Sequence, residues 1–425
     1  MLFNLNVPYS PKLHSAREAV FFSRDTENLL FHSNQIEIEC VTLTHAVCVT
    51  WSLCRNMFKK PFRTGEASAV FGEGWRISFH TEGFYPGFYD LYICADKGDG
   101  SYTNERCTFG YKVEDMPFCP NRPSDFSAFW RKRLDILSGI ELRAEAGDSI
   151  VFRGKQIDAY NTLYAGLPND YDWDGHMTEE VESCKVSFES IGGIRIHAYL
   201  ARPAGKYAKS REKFPAMLVL PGAGNTSRPM PLEHARHGYI AMDIQVHGLD
   251  VDLESYPSTA ADYSIMYPHT VQSLNYLCSL DDVDSENIVV AGGSQGGQLS
   301  LVCAALDKRV KAVVAGVTHY SNMPYVNQAL ESNGDGMEWE TFGGCAQAAY
   351  YDVMNFVQDI SCPVLMNAGL IDKISPPAGV YTVYKGLKTG DKEIIPLPSM
   401  GHDWTSVFDI YAWKWLSKHL AIEDL

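Results

Sequence analysis

The chain lacks the features that mark membrane-spanning and nucleic-acid-binding proteins. Its 425 residues contain no apolar run of the roughly 18 residues that a transmembrane helix needs. Basic residues are few, with 36 Lys and Arg against 52 Asp and Glu, and the net charge of −16 argues against nucleic acid and anionic membranes as partners. Internal repeats and low-complexity tracts are also missing. These absences favour a globular protein with neutral or cationic ligands.

The cysteines show no metal-binding or disulfide pattern. The chain has 11, an odd number, without C-x-x-C spacing, and this gives no support for a zinc site. Cys303 and Cys362 lie inside apolar runs, where thiols act as small buried hydrophobes. Residues 1–8 lack the basic segment and the long apolar core of a secretory signal. We expect a cytoplasmic protein without metal or cofactor, or a periplasmic or secreted one if a signal segment has been removed.

The most informative motif lies within residues 287–306. An apolar, β-branched run ends in Gly292-Gly293-Ser294-Gln295-Gly296, and a helical pattern of small residues follows. A G-x-S-x-G sequence between a strand and a helix is typical of a nucleophile elbow, a strained turn that exposes a serine hydroxyl. The first turn of such a helix also directs free N–H groups at a nearby oxyanion. The pattern indicates that Ser294 is a nucleophile.

A nucleophilic serine in this setting is followed along the chain by an acid and then a histidine. The apolar run 362–368 predicts a buried strand, and Asp372 lies just past its end. The next predicted strand, 392–397, leads to His402 at the same edge of the sheet, where α/β sheets hold their sites. Imidazole would take the serine proton, and the carboxylate would hold the imidazole in the required tautomer. We predict the catalytic triad Ser294, Asp372 and His402.

Each of these residues also has a purely structural explanation. Ser294 could fill a tight turn, His402 could be a loop histidine, and an N-cap role explains Asp372 as well as catalysis does. Two further carboxylates are candidates for the acid. Asp359 precedes the strand that Asp372 follows, so it should lie at the opposite edge, and Asp403 is too close to the histidine in sequence to orient it. The order and strand-end placement of all three residues favour the triad.

Several sequence blocks together resemble the acetyl xylan esterase/cephalosporin C deacetylase family. They are residues 292–297, 305–312, 351–356 and 369–372, together with 123–130, which is similar to the segment that opens those enzymes. The similarity extends from residue 120 to the end of the chain. It implies an α/β-hydrolase with a mostly parallel central sheet that removes acetyl groups from sugar hydroxyls, with xylan or xylo-oligosaccharides, or a small acetyl ester, as substrate.

The chain departs from this family in two places. The family has His-Gly-Tyr after its first central strand, whereas Pro221-Gly222-Ala223 stands here. We expect the backbone N–H groups of Ala223 and Gln295 to form the oxyanion hole, in a pocket that lacks the tyrosine ring. The family's Arg-Gly-Gln is replaced by Gln245-Val246-His247. The role of that arginine therefore does not transfer, and a homo-oligomer stays an open question. We expect His247 to be a hydrogen-bonded structural residue rather than part of the site.

The N-terminal part has a different pattern. Short strand-like runs at 35–43, 47–53, 76–81, 87–94 and 106–113, separated by turn residues, predict a small all-β sandwich. We expect domains at 1–116 (β-sandwich-like), 117–183 (a linker that is proline-rich at its start, and lead-in) and 184–425 (hydrolase). A packing or oligomerisation role for the first domain is favoured over sugar binding.

The sequence therefore predicts a serine carboxylester hydrolase. One alternative is a serine peptidase of the α/β-hydrolase type, although the N-terminal domain is too short for the propeller that often accompanies such peptidases. The other is a catalytically inert carbohydrate-binding or scaffold protein, which the complete triad argues against.

Overall fold

A computed structural model describes residues 17–70, 74–165, 175–223, 228–252, 262–335 and 345–420. Residues 1–8, from which we inferred the lack of a secretory signal, lie outside this range. The chain divides into two compact units between Asp115 and Met116. Among the described residues, no helix combines the length and the apolar character needed to cross a membrane.

The N-terminal unit consists of two sheets whose strands alternate between buried and exposed side chains. The strands are β1 Ala19–Phe22, β2 Leu30–Phe31, β3 Gln35–Thr42, β4 Cys48–Arg55, β5 Arg63–Glu66, β6 Ser68–Val70, β7 Gly74–His80, β8 Gly87–Asp96 and β9 Tyr102–Tyr111. One sheet has the order β1-β3-β7-β6 and the other β2-β9-β8-β4-β5. The sheets meet through aromatic side chains, since Phe79 of β7 lies 5.6 Å from Trp51 and 5.7 Å from Phe109 between ring centroids. The predicted all-β unit is confirmed.

The C-terminal unit is built on a ten-stranded sheet. Its strands are β10 Glu145–Ala146, β11 Ile150–Arg153, β12 Glu180–Glu189, β13 Arg195–Pro203, β14 Phe214–Leu220, β15 Ile240–Gln245, β16 Val283–Gly293, β17 Val310–Gly316, β18 Val364–Gly369 and β19 Lys392–Leu397. Their order is β10-β12-β13-β15-β14-β16-β17-β18-β19, and β11 also pairs with β12. From β15 to β19 all neighbours are parallel, whereas β12 and β13 form an antiparallel hairpin. This is the predicted α/β-hydrolase sheet.

Helices connect and cover these strands. They are α1 Phe126–Ser138, α2 Lys155–Tyr160, α3 Gly205–Ser210, α4 Leu232–Arg236, α5 Tyr263–Cys278, α6 Gln295–Leu306, α7 Met323–Asn333, α8 Cys345–Ala348, α9 Pro377–Gly386 and α10 Ser406–His419. Single turns of 3-10 helix at 113–115, 191–193, 353–355 and 357–359, and a π-helical turn at 161–165, are the remaining regular elements among the described residues. Helix α10 packs on one face of the sheet, where Trp413 and Leu416 join Met217, Val314 and Leu365 in a buried cluster.

The segment 117–183, which we expected to be a linker and lead-in, lies within the C-terminal unit. Helix α1 is anchored by Trp130, whose ring lies 5.3 Å from Tyr267 and 5.5 Å from Phe356, and whose Nε1 donates to the Tyr350 carbonyl. Strands β10 and β11 extend the sheet by pairing with β12. This segment therefore contributes to the core of the C-terminal unit.

Candidate active site

Ser294 forms a sharp turn between β16 and α6. Its φ of 58° and ψ of −120° are uncommon for a residue with a Cβ, and such strain is found mostly at functional sites. The Ser294 N–H donates to the Gly316 carbonyl at 2.9 Å, and the Ser294 carbonyl accepts from the N–H of Gln298 at 3.1 Å. These bonds fix the turn to the neighbouring strand and to the helix. This strained backbone conformation is the one expected of a nucleophile elbow.

Glycines around Ser294 allow strand β14 to approach the turn closely. A Cβ at Gly292 would lie 2.6 Å from the carbonyl oxygen of Leu220, and one at Gly296 would lie closer still to the same oxygen. The obstructing atom is backbone, which cannot move aside as a flexible side chain could. Glycine at these positions is therefore required by packing, as the motif predicts.

The structure brings Ser294, His402 and Asp372 into one hydrogen-bonded chain. His402 Nε2 lies 2.8 Å from Ser294 Oγ, and His402 Nδ1 lies 2.8 Å from Asp372 Oδ2. The three residues follow β16, β19 and β18, whose parallel pairing brings their carboxyl ends to the same edge. The Asp372 side chain is fully buried, and that of His402 is 20% exposed. This arrangement can move a proton from a serine hydroxyl to an imidazole.

Asp372 also caps its own turn. Its Oδ1 accepts the N–H groups of Ile374 at 2.8 Å and Ser375 at 2.9 Å, while Oδ2 faces the histidine. The capping and catalytic explanations of this residue are thus compatible, because each carboxylate oxygen serves one of them. The two N–H groups also fix the orientation of the carboxylate.

Of the other two carboxylates considered from the sequence, one pairs with an arginine and the other lies in the same cavity as the histidine. Asp359 precedes β18 and pairs with Arg122 at 2.8 Å. Asp403 lines the same cavity as His402, but the bond to His402 Nδ1 is made by Asp372.

Of the two residues expected to donate to the oxyanion, Ala223 lines the cavity that contains Ser294, and Gln295 directly follows Ser294 in the chain. Gly222 and Ala223 line the cavity that contains Ser294 and His402. Gln295 is the first residue of α6, where backbone N–H groups have no acceptor within the helix. Its side chain is buried and donates through Nε2 to the Tyr263 hydroxyl at 3.2 Å.

A cavity of about 610 Å³ opens at the serine, and its wall includes a buried ion pair. Arg228 Nε lies 2.5 Å from Asp243 Oδ1, and both side chains are almost completely buried. Burial raises the pKa of Asp243 to about 6, while the charge of Arg228 opposes that shift. Arg228 is therefore the cation that pairs with Asp243. No pattern in the sequence indicates this pairing.

The replacements Gln245 and His247 contact each other, and His247 lies beside the Gln295 side chain. The His247 N–H donates to Gln245 Oε1 at 3.3 Å. Burial lowers the pKa of His247 to about 4, and the Gln295 side chain beside it opposes that shift. His247 is therefore a neutral neighbour of Gln295 near neutral pH.

A second histidine, His319, lies beside the triad and was missed in the sequence. It follows β17, and its N–H donates to the Ser294 carbonyl at 3.2 Å. Burial lowers its pKa to about 4, and the nearby His402 acts in the same direction. The strand-end rule that located Asp372 and His402 could have drawn attention to it, but no motif marks it.

One group of metal-ligand side chains occurs within the described ranges, formed by His176, Glu233 and His237. His176 Nε2 and Asn161 Nδ2 each donate to Glu233 at 2.6 Å, and Arg236 lies 3.7 Å from the same carboxylate. The carboxylate is therefore already neutralised and hydrogen-bonded by its neighbours. The arrangement is explained as a buried polar network.

Comparison with known proteins agrees with this geometry. The fold and the Ser-His-Asp arrangement are those of an α/β-hydrolase. The acetyl xylan esterase (AXE1) family matches residues 169–419, and the chain belongs to that family. It is 29% identical over 370 residues to the acetyl esterase Axe7A of Xylanibacter ruminicola, covering 79% of this chain and 75% of that protein.

Two solved structures share the fold. Acetyl xylan esterase 1 from Thermoanaerobacterium sp. JW/SL YS485 has a TM-score of 0.56 at 21% identity, over 72% of this chain and 97% of that one. The acetyl xylan esterase from Paenibacillus sp. R4 has a TM-score of 0.55 at 22% identity, over 73% of this chain and 99% of that one. The protein is a carboxylic ester hydrolase, a carbohydrate acetyl esterase of the α/β-hydrolase type, and the resemblance noted in its sequence is confirmed. Family membership favours this activity over a peptidase or an inert scaffold.

Proposed function

We propose that this enzyme deacetylates xylan or xylo-oligosaccharides, with Ser294 as nucleophile, His402 as general base and acid, and Asp372 as the acid of the triad. The observation that carries the proposal is the continuous hydrogen-bonded chain from Ser294 Oγ through His402 to Asp372. Ser294 and His402 line a cavity of about 610 Å³, which is much larger than an acetyl group. The remaining space suits the sugar residue that carries the acetyl group.

In the first half of the reaction, His402 Nε2 takes the proton of Ser294 as Oγ attacks the acetyl carbonyl. The backbone N–H groups of Ala223 and Gln295 stabilise the oxyanion that forms. Asp372 stabilises the imidazolium, which then protonates the departing sugar oxygen as its bond to the acetyl carbon breaks. The product of this half is an acetyl-serine.

In the second half, water replaces the sugar beside His402. The imidazole takes a proton from this water, which attacks the acetyl-serine, and the same oxyanion donors act again. Collapse of the tetrahedral intermediate returns the proton to Ser294 Oγ and releases acetate. Besides the ester and one water molecule, the cycle uses the three side chains of the triad and two backbone N–H groups.

The substrate proposal is tested by measuring acetate release from acetylated xylo-oligosaccharides, other acetylated sugars and cephalosporin C at matched ester concentrations. We expect the highest kcat/KM with the xylo-oligosaccharides. Ser294→Ala measured on each substrate controls for background hydrolysis. A higher kcat/KM on another acetylated sugar or on cephalosporin C would contradict the xylan assignment, while the role of Ser294 would be unaffected.

A further inference from the structure

Polar side chains from two different elements line the cavity that contains Ser294. Arg228 and His234 belong to the segment 228–236, and Asp409 belongs to helix α10. Polar groups that are largely buried are normally hydrogen-bonded, so an unpaired polar atom that faces a cavity calls for an explanation. A ligand that completes the hydrogen bonds is one such explanation at a site that binds substrate.

Arg228 has donors that the protein does not use. Its Nε pairs with Asp243 Oδ1 at 2.5 Å, and its side chain is only 7% exposed. Its backbone N–H donates to the Val251 carbonyl at 2.8 Å, which fixes the position of the residue. Nη1 and Nη2, which can only donate, make no hydrogen bond to any residue that the structure describes. The guanidinium therefore presents fixed, unused donors to the cavity that it lines.

His234 presents a second unused donor to the same cavity. The indole Nε1 of Trp413 lies 3.2 Å from His234 Nδ1. An indole N–H can only donate, so Nδ1 is the acceptor and the ring proton is on Nε2. Burial lowers the pKa of His234 to about 4, so the ring is neutral near neutral pH. Within the described part of the chain Nε2 has no hydrogen-bond partner, and its N–H is available to a ligand.

Asp409 adds an acceptor to these donors. Its Oδ1 accepts from Trp404 Nε1 at 2.8 Å, whereas Oδ2 makes no hydrogen bond within the described ranges. Asp403 lines the same cavity, and the charge of Arg228 is already balanced by its ion-pair partner. An anionic ligand would therefore meet carboxyl groups without an unpaired cation, and like charges side by side are unfavourable. The cavity suits a neutral ligand that carries several oxygen atoms.

We propose that Arg228, His234 and Asp409 form a subsite for a neutral sugar, which holds the alcohol part of the ester while its acetyl group is at Ser294. This inference rests on the proposed function, because it assigns a binding site to the sugar of that substrate. Arg228 and His234 donate to oxygen atoms of the sugar, and Asp409 accepts from one of its hydroxyls. Sugar hydroxyls both donate and accept, so they match this mixed set of groups.

The first test compares Arg228→Lys with the wild-type enzyme on acetylated xylo-oligosaccharides and on p-nitrophenyl acetate, whose alcohol part has no sugar hydroxyls. Lysine keeps a positive charge beside Asp243 but lacks the Nη groups. We expect KM for the oligosaccharides to rise about tenfold with little change in kcat, because hydrogen bonds made equally in the ground and transition states are lost. KM for p-nitrophenyl acetate should rise much less. If Arg228→Lys does not fold, Arg228→Met combined with Asp243→Asn takes its place, since it removes both charges together.

Two substitutions of His234 extend the comparison. His234→Phe removes the Nε2 donor, whereas the amide of His234→Gln can accept from Trp413 and still donate to the cavity. We expect His234→Phe to raise KM for the oligosaccharides by about threefold to tenfold, and His234→Gln to restore most of the loss.

Arg202 offers a matched control for the arginine substitution. Its Nη1 pairs with Asp282 at 2.9 Å, so it is also an arginine in an ion pair, but it does not line the cavity. Arg202→Lys should leave KM for both esters unchanged.

The second test concerns the charge of the ligand. It compares the wild-type KM for an acetylated methyl glycoside of glucuronic acid with the KM for the methyl ester of the same compound, since the two differ in one negative charge. We expect the higher KM for the free acid. A lower KM for the free acid would show that the Arg228 donors serve an anion, and this would contradict the assignment to a neutral sugar.

Two further results would overturn the inference. They are an unchanged KM for the oligosaccharides in folded Arg228→Lys, and an equal rise in KM for both esters. If another acetylated sugar is the preferred substrate, the same variants are compared on that sugar. The triad is tested separately through Ser294→Ala, and the xylan assignment through the wild-type kcat/KM on different sugars. Failure of the inference and failure of the proposed function are therefore distinguishable.

Discussion

Replacing Asp372 with asparagine changes one atom and should nearly abolish turnover. In the native enzyme Oδ1 accepts two backbone N–H groups, from Ile374 and Ser375, and Oδ2 accepts from His402 Nδ1. The asparagine oxygen must stay with the two N–H donors, because turning the amide would leave them facing another donor. The new NH2 group then faces His402 Nδ1 at about the native 2.8 Å.

This orientation dictates the wrong tautomer of the imidazole. With a donor facing it, Nδ1 must be the acceptor, so the ring proton moves to Nε2. That nitrogen lies 2.8 Å from Ser294 Oγ and can no longer take the serine proton. The amide also fails to stabilise the imidazolium. Comparable substitutions in serine hydrolases lower kcat by about 10⁴-fold, which corresponds to about 5 kcal/mol of transition-state stabilisation.

The assay is steady-state hydrolysis of p-nitrophenyl acetate, with thermal unfolding to show that the variant is folded. Asp359→Asn is the matched control, since it removes a carboxylate that pairs with Arg122 outside the site, and it should keep wild-type kcat. Asp372→Asn activity near that of wild type would refute the reasoning. So would loss of turnover in Asp403→Asn alone, because the acid would then be Asp403.

Two further predictions concern acyl size and stability. With Ala223 in place of a tyrosine and a cavity of about 610 Å³, acetyl esters should be preferred over butyryl esters with a shallow decline, and a preference for octanoyl esters would contradict this. Burial raises the pKa of Asp409 to about 7, with Trp404 opposing, so its ionisation should lower the stability of the fold as pH rises from about 4 to 7. Asp409→Asn should therefore raise Tm at pH 8 more than at pH 5, and an equal change at both would contradict this.

The local features of the site could be read from the sequence because short-range chemistry determines them. The β-branched run before Ser294 and the glycines around it specify a strand, a tight turn and a helix. Asp372 and His402 each follow an apolar strand, and parallel pairing brings such strand ends together. Predicting where these three residues lie requires no long-range contacts other than the pairing of the strands.

Other features depend on proximity in three dimensions. The pairing of Arg228 with Asp243 joins residues with no local pattern between them. Val317, just past the end of β17, has a positive φ, which no sequence rule assigns to a β-branched residue. In contrast, the packing of α1 could have been anticipated, because Phe126, Trp130 and Leu137 share one face of a helix.

The most direct test of the central claim is the kcat of Ser294→Ala on an acetyl ester, measured beside its thermal unfolding curve. Removal of the hydroxyl should leave Tm close to wild type and lower kcat by about 10³-fold or more, since His402 then has no nucleophile to activate. A folded Ser294→Ala that retained more than about a tenth of the activity would show that the nucleophile is not Ser294.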